Sequence, residues 1–77
     1  MSAVSDTVAE LARARSKFAA MDTPHYGYAV ILEELDELWE HVKANTGRSP
    51  EARAEAIQIA AMALRYAEDL CEPRSEA

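Results

Sequence analysis

Two short interruptions, Thr23-Pro24 and the run Asn45-Thr46-Gly47-Arg48-Ser49-Pro50, divide the sequence into three stretches almost free of helix breakers. Of the two glycines and three prolines, only Gly27 stands inside a stretch, and the rest is dominated by Ala, Leu, Glu and Arg, all strong helix formers. An all-α fold is therefore expected. Thr23 and Ser49 are side chains suited to accept the free N–H groups of a first helical turn, and each precedes a proline placed where a missing N–H removes nothing. Helices are expected over about 5–20, 24–44 and 50–71, with Gly47 stopping the second in a left-handed conformation. Residues 72–77, "EPRSEA", carry a proline and no apolar anchor, which predicts a frayed tail to a single domain spanning 1–77.

A chain of 77 residues buries only about 60% of its unfolded surface. The usual staples are missing, since the single Cys71 cannot close an internal disulfide and no Cys/His spacing suggests a structural zinc site. Self-association is the expected remedy, with the bundle completed by further copies. No apolar run reaches the roughly 18 residues that span a bilayer, and the first residues lack the apolar centre of a signal peptide, so a soluble, cytoplasmic protein away from membranes is expected. The net charge of −6 argues against binding a nucleic-acid backbone, which needs clustered Lys and Arg. A small anionic ligand would need bridging cations.

At 100° per residue, Tyr28, Ile31, Leu32, Leu35, Leu38, Trp39 and Val42 share one arc of the second helix, its expected buried face. Along the margin of that arc run Gly27, Val30, Glu34, Glu37 and His41, at spacings of three and four. The third helix has a matching strip of Glu55, Gln58, Met62, Arg65 and Asp69. In the first, Val4, Val8, Leu11 and Phe18 recur at helical spacing while Arg13, Arg15 and Lys17 turn elsewhere. If the second and third helices form an antiparallel hairpin about residue 46, Glu37 lies level with Glu55, Glu34 with Gln58 and Gly27 with Arg65. Carboxylates brought together in this way are relieved by protonation, a basic partner or a bound cation. All-oxygen ligands select Mg²⁺ or Mn²⁺, and Mg²⁺ commonly shares its coordination with phosphate oxygens.

With Glu34-x-x-Glu37 and Glu55-x-x-Gln58 on facing helices, the chain resembles the MazG-like branch of the all-α nucleoside triphosphate pyrophosphohydrolases, whose pattern is E-x-x-E, a spacer, then E-x-x-D. The resemblance covers about 24–70, including "EELDE" and "EAIQIAAMALRYAEDL". Gln58 departs from it, standing where that family has aspartate. The resemblance implies a helical bundle completed by dimerisation or tetramerisation, in which Mg²⁺ positions water for attack on a nucleotide's phosphate chain, releasing monophosphate and pyrophosphate. It implies Glu34, Glu37 and Glu55 as metal ligands with Gln58 at the fourth place, and Glu33 or His41 to accept the proton of the attacking water. Arg65 would bind a phosphate oxygen, Gly27 would leave room for a base or sugar, and Tyr66, like Tyr26, could stack on the base. Lys43, Arg48 and Arg53 are weaker candidates for phosphate.

Plainer readings stand beside these. A glutamate run on a helix is commonly a solvated face, Arg65 and Asp69 can pair across one turn, and aromatic residues in a short chain more often fill a core or subunit interface. Two other functions are thus compatible with the sequence: a module of the same fold that holds a nucleotide without cleaving it, and a structural helical protein that binds a partner.

Overall fold

The computed structural model describes residues 2–72. It is all-α: α1 (Ala3–Lys17), α2 (Pro24–Lys43) and α3 (Pro50–Tyr66) are followed by a single π-helical turn, Ala67–Cys71. Each helix opens on a hydroxyl cap. Ser2 accepts from the Ser5 N–H, Thr23 from the Tyr26 N–H and Ser49 from the Ala52 N–H, each at 3.1 Å, with proline in the first turn of α2 and α3.

The ends differ from expectation in ways the local chemistry explains. Because Ser2 is the cap, α1 starts two residues early. It stops at Lys17, since Phe18 is extended (φ −126°, ψ 146°) and gives its N–H to Ala14. Gly47 does not end α2. The left-handed residue is Asn45 (φ 65°), and the Asn45 and Thr46 N–H groups close back on the carbonyls of Val42 (3.1 Å) and His41 (2.8 Å). This paired closure satisfies two of the helix's last carbonyls, and asparagine enters the left-handed region more readily than most residues. Beyond α3 the Glu72 N–H reaches the Ala67 carbonyl at 3.0 Å, the five-residue bond of a π turn. That widened turn carries Glu68 and Asp69 onto Arg15 of α1, at 2.6 Å and 2.8 Å. The tail expected over 72–77 lies, Glu72 apart, outside the described residues.

Helix α3 packs against both α1 and α2. Its alanines allow this: Ala61 is fully buried and, with Met62 and with Ala14 of α1, forms a small core onto which Leu11, Val30 and Ile31 pack. The face of α2 turned toward α3 is not the one expected. Gly27 is buried in the contact, and a Cβ there would lie 2.6 Å from Cδ2 of Tyr66 and 3.1 Å from Sδ of Met21. The glycine is thus the point of closest approach, and the margin bearing it, with Val30 and Glu34, turns inward. The arc expected to be buried lies mostly outside. Tyr28, Leu32, Leu35, Trp39 and Val42 are exposed, Trp39 by 55% and Leu35 by 48%, while Ile31 and Leu38 are half-buried. Among the described elements α2 packs mainly against α3, which cannot cover both of its sides. No described helix is long and apolar enough to cross a membrane.

Alanine in a helix is favoured over glycine by about 1 kcal/mol, but overpacking costs roughly 1–3 kcal/mol. We therefore expect Gly27→Ala to destabilise the protein in urea unfolding. Combined with Tyr66→Leu, which removes the ring it strikes, the same change should cost less than it does alone. A Gly27→Ala protein more stable than wild type would show that the contact with Tyr66 is not close-packed.

Candidate functional site

A groove of about 450 Å³ runs between the three helices. At one end α2 contributes Glu34 and Glu37, on successive turns of its inward margin, and α3 contributes Glu55. Each offers a carboxylate oxygen, and the three oxygens lie within 4.8 Å of one another. Glu33 lines the same end. Crowding of this kind disfavours full ionisation. Burial, then the charges of Glu37 and Glu55, a hydrogen bond with Glu55 and the charge of Glu33 push the Glu34 carboxyl up to about 7.

The groove has a cationic side as well. Arg65 of α3 is only 3% exposed. Its Nη2 donates to the Ala19 carbonyl at 3.0 Å and its Nη1 to the Met62 sulfur at 3.3 Å. The guanidinium sits 6.0 Å from the centre of the Phe18 ring, and its buried Nε–H has no acceptor among the described residues. The i,i+4 pairing with Asp69 does not form among the described ion pairs, because Asp69 takes Arg15 and the Met21 N–H (2.9 Å) instead. Burial alone would raise the Asp69 carboxyl, but those two hydrogen bonds hold it below its ordinary value. Asp69 is near enough for its charge to act on Arg65, but no carboxylate is among the guanidinium's hydrogen-bond partners, and a buried charge so placed is costly.

Helix α1 closes the third side with Glu10, which sequence reasoning missed. Its carboxylate accepts from Arg13 and, at 2.7 Å, from Nε2 of Gln58. The Arg13 hydrogen bond, opposed by burial and helped by Gln58, holds the Glu10 carboxyl below its ordinary value. A signal was there: Glu10 lies one turn before the buried Ala14 on the same face of α1 and turns inward with it.

Of the residues singled out from the sequence, Glu33, Glu34, Glu37, Glu55, Gln58 and Arg65 meet in this groove. Tyr26 joins them there, but His41, Gly27, Tyr66, Lys43 and Arg53 are elsewhere. His41 is not among its lining residues; one turn beyond Glu37, it is taken up by the end of α2, with Nδ1 3.3 Å from Oγ1 of Thr46. The space left by Gly27 holds the Tyr66 ring and the Met21 sulfur, with no room for a base or sugar, so Tyr66 packs the helices together. Tyr26 and Phe18 bring aromatic rings to the groove instead. Lys43 lies over Trp39 and pairs with Glu40, and Arg53 pairs with Asp6.

The raised Glu34 value fixes a sign for pH dependence. The folded protein keeps a proton that the unfolded chain releases, so this contribution is intact below about 4.5 and is lost as pH rises toward 7. Glu10 and Asp69 act oppositely: their contributions are present above their ordinary values, 4.5 and 3.8, and disappear as pH falls through their lowered ones. Calorimetric Tm, followed from about pH 3 to about pH 8, should peak in mild acid and decline toward neutrality. Glu34→Gln should flatten the decline on the neutral side; an unchanged profile would show that Glu34 ionises normally.

Compared with protein-family models, curated proteins and solved structures, this chain matches none.

Proposed function

We propose that the groove binds a divalent cation, Mg²⁺ or Mn²⁺, together with the phosphates of a nucleotide, and that the protein is a nucleotide pyrophosphohydrolase of MazG-like type. The observation that carries this reading is the meeting, in one groove, of three carboxylate oxygens within 4.8 Å and a buried arginine with a free N–H. Carboxylates attract a cation, the arginine attracts an anion, and a metal-bound polyphosphate satisfies both.

The donor set fits a hard cation, being all oxygen and rich in charge. Glu34, Glu37 and Glu55 would hold it, and it would supply charge neutralisation and polarisation of the phosphate oxygens. The remaining work falls to the chain. The Arg65 guanidinium would meet a phosphate oxygen, while Phe18 and Tyr26 would offer ring faces to the base. Glu33 accepts the proton as the attacking water's oxygen joins phosphorus and the bridging P–O bond breaks, leaving monophosphate and pyrophosphate. Cytoplasmic residence accords with a nucleoside triphosphate substrate.

Gln58 favours a second reading, in which the nucleotide is held without being cleaved. Its amide is neutral, and its Nε2 is already engaged by Glu10, so the site has three carboxylate ligands rather than four.

A second copy of the chain is the occupant we propose for the exposed arc of α2. Among the described residues no large side chain is fully buried, and Tyr28, Leu32, Leu35 and Trp39 leave large apolar side chains exposed on one arc of α2, which a two-fold-related copy would cover.

Melting the protein with Mg²⁺ and a panel of nucleoside triphosphates, with product analysis of the same samples, tests the activity. Binding at about 100 times Kd should add about 2.7 kcal/mol of stability. Pyrophosphate release, lowered roughly 100-fold or more by Glu34→Gln or Glu37→Gln, would establish the enzyme. Stabilisation with intact nucleotide would establish the binding module, and no shift would leave a structural bundle. For association, sedimentation equilibrium should show a dimer or tetramer that Leu35→Glu dissociates; a wild-type monomer at high concentration would refute the second copy.

A further inference from the structure

Gln58 differs in kind from the three carboxylates around it, and the hydrogen bonds on its far side say how it is used. Glu10 reaches it from α1, a helix that carries none of the acidic triad. The Glu10 side chain is only 14% exposed and is paired with Arg13. One of its oxygens, Oε2, accepts both from Arg13 and from Nε2 of Gln58. A carboxylate so paired has no proton to give, so it can face only the NH2 end of an amide. The rotation that would exchange the nitrogen and oxygen of Gln58 would set two acceptors against each other at hydrogen-bond distance. The amide is therefore locked, with Nε2 toward α1 and the carbonyl Oε1 directed away from Glu10.

Gln58 lies one turn beyond Glu55 on the same face of α3 and lines the groove that holds Glu34, Glu37 and Glu55. A fixed carbonyl oxygen at that place is a hard, neutral donor of the type that Mg²⁺ and Mn²⁺ accept beside carboxylates. Arg65, whose buried Nε–H has no acceptor among the described residues, lines another part of the same groove. Mutating an outer group that orients a metal's ligand by hydrogen bonding typically costs roughly 10–100-fold in metal affinity.

We propose that Glu10 is a positioning residue of the cation site: by pinning the Gln58 amide it presents Oε1 of Gln58 as a neutral fourth ligand beside Glu34, Glu37 and Glu55. This rests on the cation-binding reading above and adds α1 to the site. It assigns the Arg13–Glu10–Gln58 relay a function beyond tying α1 to α3.

The test is a double-mutant cycle on Mn²⁺ affinity, measured with the metal alone on the full chain by electron paramagnetic resonance. Helicity and metal-free Tm are recorded for each variant. Glu10→Gln keeps the shape and can still bond Gln58, but an amide accepts either end of another amide, so the lock is lost while the tie persists. Glu10→Gln and Gln58→Ala should each weaken Mn²⁺ binding about tenfold, and the double variant should bind no more weakly than Gln58→Ala alone. Glu10 would then act through Gln58. If the two losses multiply, Glu10 acts only through its charge; if Glu10→Gln lowers Tm but leaves affinity unchanged, the relay is only a tie. Either result overturns the proposal while the cation site, checked by loss of binding in Glu34→Gln, stands. Absence of Mn²⁺ binding by the wild-type chain overturns both.

Discussion

The approach of α2 to α3 at Gly27 decides most of what the molecule presents. With the Tyr66 ring lying where a side chain would be, the two helices come close along the polar margin of α2 rather than along its broad apolar arc. That one contact has two consequences. Glutamates from facing helices are brought within reach of a single ion, and the apolar arc faces away from its own chain. Alanines along α3 make the closeness possible, but small side chains remove little apolar surface per residue from water. The arrangement gains geometry more than stability.

Electrostatics then divides the groove. Three converging carboxylates make one end reluctant to ionise fully, as the raised Glu34 value expresses. The other end holds a guanidinium bonded to a carbonyl and a sulfur, with one N–H unsatisfied. Elsewhere the chain pairs opposite charges readily, as with Arg15 on Glu68 and Asp69 and Arg53 on Asp6. In the groove Glu10 pairs with Arg13, but Glu34, Glu37, Glu55 and Arg65 have no partner among the described salt bridges. Like charges left together and a buried guanidinium with no carboxylate hydrogen-bond partner both raise the free energy of the empty site. A ligand that is positive at one end and negative at the other lowers both terms at once.

Local rules made the elements readable. Thr23-Pro24 and Ser49-Pro50 marked two helix starts, and the levels of the hairpin placed Glu37 beside Glu55, while the residue meeting Gly27 is Tyr66, next to the expected Arg65. Where a choice depended on another part of the chain, the sequence was a poorer guide. Hydrophobic periodicity names the most apolar arc of α2, but whether that arc meets its own chain or something else depends on how many helices are available. The roles of Asn45 and Gly47 were exchanged because both tolerate the closing turn and only the carbonyl geometry at His41 and Val42 distinguishes them. Glu10 was overlooked because its partner, Gln58, is 48 residues away. His41 fell on the acidic strip by spacing, yet the strip outlasts the groove by one turn.

The exposed arc and the acidic groove are two faces of one helix, and this couples them. The margin of α2 faces inward while its apolar arc lies outward; the opposite rotation would bury the arc and return the glutamates to water. Covering the arc with a second copy favours the rotation that keeps the carboxylates in the groove, and filling the groove with a cation favours the rotation that leaves the arc free to pair. Linkage requires such an effect to be reciprocal: to whatever extent pairing strengthens cation binding, the cation strengthens pairing equally. If a second copy covers the arc and a cation fills the groove, as proposed, association and site assembly become parts of a single folding equilibrium in a chain with so small a core.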